Sequence, residues 1–131
     1  MSSQYTQFGF TLSLQAPRDI DAVVRICEQA RATTDDTGVA YDMVACDVTE
    51  PGDSVFIYAD DGNTGAAIHL CKLLAAEFGL SGQLAFSYAW FSDRIVGNES
   101  QGGGIIVIDL PSGDVVDSVD TLSLMKIRGF A

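Results

Sequence analysis

Every second residue is apolar between Phe8 and Leu14, and the residues between them are polar or small. A period of two with one apolar face is typical of a strand that packs on a core. Beyond Pro17 the apolar spacing changes to three and four residues, from Ile20 to Ala30, which predicts an amphipathic helix. The run TTDDTG at 33–38 favours a loop that ends this helix.

The middle of the chain predicts two more strands followed by a second helix. The strands are Tyr41–Val48 and Ser54–Ala59, which flank a Pro-Gly turn. The helix is Thr64–Phe78, where apolar residues recur at helical spacing. Gly79 follows it and is suited to the left-handed conformation that ends many helices.

The C-terminal third of the chain predicts three strands and a short helix. Gln83–Phe91 carries apolar residues on both faces, which is typical of a central strand. A polar loop from Ser92 to Gln101 then leads through three glycines to a strand at Ile105–Leu110. Val115–Val119 is expected to be a short edge strand, and Thr121–Arg128 a short helix.

The order of these elements is β-α-β-β-α-β-β with a terminal helix, and it predicts a single α+β domain over residues 1–131. We expect a two-layer sandwich of an antiparallel sheet and two main helices. The first six elements match the ferredoxin-like β-α-β-β-α-β arrangement, and a C-terminal hairpin with the short helix extends it. A two-layer α+β meander with another strand order is the alternative.

The chain is strongly acidic, with 18 acidic and seven basic residues and a formal net charge of −11. Direct nucleic-acid binding is disfavoured, because neutralising phosphates requires Lys and Arg. The acids fall into stretches without bases, which predict a surface that attracts a basic partner; ordinary solubility is the alternative interpretation. The residues expected to contact that partner are Asp47, Glu50, Asp53, Asp60, Asp61, Asp109, Asp114 and Asp117.

No residue pattern indicates catalysis, a metal site or a cofactor. Cys27, Cys46 and Cys71 are far apart in sequence and form no CxxC motif, so reduced core thiols are expected in place of zinc ligands. His69 is the only histidine, and it is expected on the solvated face of the second helix. The sequence therefore predicts that the protein is not an enzyme and needs neither metal nor cofactor.

Three consecutive glycines, Gly102, Gly103 and Gly104, form the most unusual stretch of the sequence. A phosphate-binding loop would place such glycines before a helix, with a lysine after them. Here a β-branched run beginning at Ile105 follows instead, and the surroundings are acidic. The glycines are therefore expected to serve the backbone, by allowing a bulge or the close approach of another segment.

A pattern of Tyr-Ala, serine, three glycines and Val-Ile runs through the second half of the chain. With this pattern, the chain resembles small uncharacterised proteins of phages, plasmids and other bacterial mobile elements. It departs from them at Gln101, where they carry an aromatic residue. The resemblance implies a bacterial host and a setting in which small acidic proteins act against nucleic-acid enzymes. The matching residues are Leu73, Leu74, Phe78, Phe86, Tyr88, Ala89, Ser92, Gly102, Gly103, Gly104, Val107 and Ile108.

Two functional hypotheses follow. The first is an interaction protein of the anti-CRISPR or anti-defence type, which binds a basic surface of a nucleic-acid-processing complex and inhibits it by mimicking nucleic acid. The second is a small ligand-binding or enzymatic domain with a pocket near the Ser92–Gly104 loop. A homodimer through an exposed edge strand is a third alternative. Because no apolar run approaches the roughly 20 residues of a membrane span and no basic leader is present, we expect a cytoplasmic protein.

Overall fold

The computed structural model describes residues 4–33, 44–92 and 101–127 of the chain. These residues form six strands and three helices. In chain order the elements are β1 (Gln4–Ser13), α1 (Ile20–Arg31), β2 (Ala45–Val48), β3 (Ser54–Ala59), α2 (Thr64–Phe78), β4 (Gln83–Ser92), β5 (Gln101–Asp109), β6 (Asp114–Asp120) and α3 (Thr121–Ile127).

All six strands belong to one antiparallel sheet in the order β2-β3-β1-β4-β5-β6. The first four strands have the split arrangement of a β-α-β-β-α-β fold, since β3 lies between β1 and β2, and β4 pairs with the other side of β1. The β5–β6 hairpin extends the sheet beyond β4. The predicted α+β class and its two main helices are therefore confirmed.

The two long helices pack side by side on one face of the sheet, where the core lies. Leu70 and Leu74 of α2 are completely buried, as are Leu12 of β1 and Ile57 of β3. Their alternating positions in the strands match the period of two predicted from sequence. The resulting core is one continuous apolar layer between the sheet and the helix pair.

Polar side chains and one glycine set the ends of the two long helices. The Asp19 carboxylate accepts a hydrogen bond from the Asp21 amide at the start of α1, and the Asn63 side chain accepts one from Gly65 at the start of α2. Gly79 has φ 61°, so α2 ends in the left-handed conformation expected of that residue.

Arg18 joins the connection between β1 and α1 to the end of α2. Its Nη2 donates hydrogen bonds to the carbonyl oxygens of Leu14 at 3.0 Å and Phe78 at 3.3 Å. Its guanidinium also lies 5.0 Å from the centroid of the Phe78 ring. The positive charge thus meets carbonyl groups at the C-terminal end of α2, where the helix dipole favours a cation.

The largest departure from the predicted elements lies at the three glycines. β5 begins at Gln101, so Gly102, Gly103 and Gly104 lie inside the strand and not in the loop before it. Each of them pairs with a residue of β4, and β-propensity alone would not have indicated this because glycine is depleted in strands. The predicted strand residues 41–43, the loop residues 93–100 and Arg128 lie outside the described residues.

Candidate functional site

The face of the sheet opposite α1 and α2 carries exposed apolar residues, and we call it the open face. Alternate residues of each strand point away from the helices, and the strand register shows which of them are cross-strand partners. These residues form the open face. Its aromatic and aliphatic residues include Tyr5, Phe56, Tyr58, Phe91, Ile105 and Val119. Its acidic residues are Asp47, Asp109, Asp114 and Asp117.

Two pairs of stacked aromatic rings lie on the open face. Tyr5 and Phe91 are cross-strand partners with ring centroids 5.1 Å apart, and Phe56 stacks on Tyr58 at the same distance. Phe56 is 45% exposed, although its neighbours Val55 and Ile57 are completely buried on the other face. The rings therefore present aromatic surface to solvent.

Aliphatic side chains continue this surface toward the β6 edge. Ile105 of β5 and Val119 of β6 are cross-strand partners, and each is about half exposed, at 51% and 50%. Single exposed apolar residues are ordinary, whereas several on one face of a sheet are typical of an interaction site.

The strands carry acidic residues and no basic ones. The six described strands contain five aspartates but neither lysine nor arginine. Register places Asp47 beside Phe56 at one edge of the open face, and Asp117 beside Val107 at the other. Asp120 pairs with Gly104 and points to the helix side. The acids of the open face thus lie on β2 at one side and on β5 and β6 at the other.

The eight acids predicted to contact a partner do not form one cluster. Four of them, Asp47, Asp109, Asp114 and Asp117, project from the open face. Across five strand spacings, its two edges are about 24 Å apart. The other four are exposed in connections at the two ends of β3, with Glu50 and Asp53 before it and Asp60 and Asp61 after it.

Two of the open-face acids also face each other. Asp109 and Asp114 are cross-strand partners next to the β5–β6 turn. Asp109 Oδ2 accepts hydrogen bonds from the Ser112 amide and hydroxyl, the latter at 2.7 Å, so this carboxylate also holds the turn. Asp47 and Asp117 have no such part in a turn, and they are the better candidates for contact with a partner.

Close backbone approach explains why glycines occupy the start of β5. A Cβ added to Gly103 would lie 2.4 Å from the Tyr88 carbonyl oxygen, and one added to Gly104 would lie 2.3 Å from that of Val119. Real Cβ atoms do not approach backbone atoms this closely. The Gly103 amide also donates a hydrogen bond to Thr121 Oγ1 at 3.2 Å, which ties β5 to the start of α3.

An apolar pocket of about 410 Å³ lies against these glycines, and we call it the glycine pocket. Ile105 and Val119 of the open face form part of its wall, and Leu124 of α3 forms another part. Its volume falls in the range of small-ligand sites, which is roughly 300–1,000 Å³. Its glycines belong to the range Ser92–Gly104, near which the second functional hypothesis placed a ligand site.

His69 is partly buried on α2, although a solvated position was predicted for it. Burial lowers the pKa of its imidazole below the usual value, and the ammonium of Lys72 lowers that pKa further. Among the described residues, no group of three or more His, Cys, Asp or Glu side chains could hold a metal ion. No helix in the described part of the chain is long and apolar enough to cross a membrane.

The lowered pKa of His69 predicts that stability falls as the pH decreases through the range below about 7. The unfolded chain takes up the proton at a higher pH than the folded chain does, so protonation favours unfolding. The slope for one such group is at most about 1.4 kcal/mol per pH unit. Urea unfolding between about pH 5.5 and 7.5 measures it, and His69→Gln should flatten the profile. If the slope of the unfolding free energy against pH were unchanged in His69→Gln, the pH dependence would come from other groups.

The exposed aromatic residues are the part of the site that the sequence reasoning missed. Phe56 and Phe91 stand out of phase with the buried residues of their strands. Their position in the alternating pattern could have revealed them, because an aromatic residue on the face opposite the buried one either meets a second layer or faces solvent.

Comparisons with protein-family models, with curated proteins and with solved structures find no match for this chain.

Proposed function

We propose that this protein is an acidic docking module that binds an arginine-rich surface of a nucleic-acid-binding protein and competes with nucleic acid for that surface. The observation that carries the proposal is the open face, where exposed aromatic rings share a surface with four aspartates and the described strands have no lysine or arginine. The predicted anti-defence role is one form that such competition would take.

Arginine is the side chain that suits both features of the open face. Its planar guanidinium stacks on aromatic rings and also forms paired hydrogen bonds with carboxylates. At the β2 edge, Asp47 and Phe56 are cross-strand neighbours, so one arginine could meet both groups. A lysine ammonium is more strongly hydrated and gains less from the rings.

Charge argues against two other occupants of the same face. A nucleic acid would bring its phosphates toward Asp47 and Asp117 without a lysine or arginine on any described strand to receive them. A second copy of the chain would bring together two molecules of net charge −11. A basic protein surface gains from the same charges, and its association would weaken as salt increases.

The test measures binding of the purified chain to a short arginine homopeptide by fluorescence anisotropy, with a lysine homopeptide of equal length for comparison. We expect tighter binding of the arginine peptide. The double variant Asp47→Asn/Asp117→Asn should weaken it by about fivefold. Asp21→Asn/Glu77→Gln changes the net charge equally on α1 and α2, and it should weaken binding by less than about twofold. Phe56→Leu keeps apolar area but removes the ring, so it should reduce the preference for arginine over lysine.

Competition completes the test. Unlabelled protein should displace labelled single-stranded RNA from the arginine peptide, and the Asp47/Asp117 double variant should do so less effectively. Equal losses in both double variants would mean that net charge alone governs binding, and the open face would not be the docking surface. Direct RNA binding tighter than peptide binding, or dimerisation of the free chain at assay concentrations, would assign the face to a different occupant and overturn the proposal.

The glycine pocket favours a second candidate function, the binding of a small apolar ligand. Its wall consists of backbone and of aliphatic groups such as Ile105, Val119 and Leu124. A neutral apolar dye such as Nile red should bind with increased fluorescence, and Leu124→Asp should abolish that signal. Ile127→Asp is the matched control, since Ile127 lies on the same helix and does not line the pocket. A dye signal that survives Leu124→Asp would exclude this pocket as the ligand site.

A further inference from the structure

Two cysteines share a small cavity where α1 meets β2, far from the glycine pocket in the fold. Cys27 is buried on α1, whereas Cys46 on β2 is partly exposed. Both residues line this cavity. The cavity has a volume of about 240 Å³, and its wall includes Glu28 and Arg31 from α1 and Asp47 from β2.

The surroundings of the two sulfur atoms are different. A hydrogen bond from the Cys27 thiol favours the Cys46 thiolate and lowers the pKa of Cys46, and the Arg31 guanidinium adds to this effect. Burial and the Asp47 carboxylate oppose it. The same hydrogen bond raises the pKa of Cys27, and burial raises it further. Cys46 is thus the more readily ionised of the two thiols, and Cys27 is the proton donor beside it.

We propose that Cys46 and Cys27 form an oxidation site for hydroperoxides, in which Cys46 reacts first and Cys27 converts the product to a disulfide. The exposure of the two residues agrees with this order, because Cys46 is partly exposed whereas Cys27, which lines the same cavity, is buried. The cavity is large enough for hydrogen peroxide or a small alkyl hydroperoxide, and Arg31 lies in its wall, where it can stabilise the negative charge on sulfur.

The chemistry proceeds in two balanced steps. The Cys46 thiolate attacks one peroxide oxygen, so that an S–O bond forms, the O–O bond breaks and the other oxygen leaves as hydroxide or alkoxide, which takes a proton from water. Cys46 is thereby oxidised to a sulfenic acid and the peroxide is reduced. Oxidation of Cys46 removes the thiolate that raises the pKa of Cys27. Cys27 sulfur then attacks Cys46 sulfur, the S–S bond forms, and the S–O oxygen leaves as water with the Cys27 proton.

The third cysteine provides an internal control. Cys71 is completely buried on α2, and burial raises its pKa to about 12. A thiol with so little thiolate reacts slowly with peroxide. The site therefore predicts selectivity for Cys46 within a single molecule, which can be measured without any substitution.

The test treats the full-length reduced chain with a small excess of hydrogen peroxide at neutral pH and follows the intact mass. We expect the mass to fall by the two hydrogens that a disulfide releases, with Cys27 and Cys46 joined in one peptide after digestion. Dimedone present during the reaction should label Cys46 and not Cys71. A disulfide between different molecules, or labelling of Cys71 at the same rate as Cys46, would overturn the proposal.

Variants separate the two roles. Cys27→Ala should leave a sulfenic acid on Cys46 that dimedone traps, Cys46→Ser should abolish both the label and the disulfide, and Cys71→Ser should behave as the parent chain does. Persistence of the mass change in Cys46→Ser would also overturn the proposal. If Cys27→Ala does not fold, the peptide map of the parent chain still decides the question.

Arg25, on the same helix, provides a matched control for the role of Arg31. Arg31→Gln should slow the oxidation of Cys46 by about three- to tenfold, since it removes the cation that favours the thiolate. Arg25→Gln removes the same charge from α1 at a position outside the cavity wall, and it should leave the rate unchanged. Equal rates in the two variants would show that Arg31 has no part in the site.

Discussion

Replacing Gly103 by alanine should destabilise the protein by about 3 kcal/mol, although alanine is otherwise the more favourable residue in a strand. The added Cβ would lie 2.4 Å from the carbonyl oxygen of Tyr88 and 3.3 Å from the Cα of Ala89. Both are backbone atoms of β4, so neither can turn aside as a side chain would. The strands must separate locally, and the hydrogen bonds between β4 and β5 are lost or lengthened there.

Gly9→Ala is the matched control for this prediction. Gly9 lies in β1, and the nearest atom to its added Cβ is Cζ of Phe56 at 3.3 Å, which belongs to an exposed ring that can move. Its effect should stay within about 1 kcal/mol in either direction. Urea unfolding gives both free energies, and hydrogen exchange should show faster exchange of β5 amides in the Gly103 variant alone. Equal stability of the two variants would mean that β4 and β5 can adjust to a side chain at this position.

The elements that were predicted most accurately are those with clear local boundaries. α2 spans Thr64–Phe78 as expected, because Asn63 caps its start and Gly79 ends it. β3 spans Ser54–Ala59 as expected, after the turn that contains Gly52. In both cases the signal is local, since it rests on residues whose own conformational preferences determine where an element can begin or end.

The glycines of β5 show what local signals cannot supply. Their place inside a strand depends on the approach of Tyr88 and Val119 from the two neighbouring strands, and these residues are distant in sequence. The run from Ile105 onward has strong β-propensity, whereas the three glycines have little. Propensity therefore predicted the second half of the strand and missed the first.

The candidate site was only partly predictable for the same reason, because it also depends on residues that are distant in sequence. Net charge and the stretches without bases follow from the sequence, and they drew attention to Asp47 and Asp117 together with six other acids. Which acids share a face depends on register and strand order, because Asp47 and Asp117 lie on opposite edges of the sheet and become members of one surface only through the four strands between them. The binding role of that surface stays a prediction that the peptide measurements test.

Leu74→Ala should lower the free energy of unfolding by about 3 kcal/mol, the middle of the range of roughly 2–5 kcal/mol for leucines truncated in a core. Leu74 is completely buried on α2, where it packs between the helix layer and the sheet. Alanine has a high helix propensity, so the helix itself is not weakened and the loss reflects packing alone.

Leu124→Ala makes the same substitution in another helix, at a side chain that is 44% exposed on α3, and it should cost less than about 1 kcal/mol. Urea unfolding followed by circular dichroism should show a lower midpoint for Leu74→Ala with an unchanged slope, because the variant exposes nearly the same surface on unfolding. Such a loss is a large share of the roughly 5–15 kcal/mol that stabilises an ordinary domain. If Leu74→Ala and Leu124→Ala shifted the midpoint equally, the layer between α2 and the sheet could not be the main core of this fold.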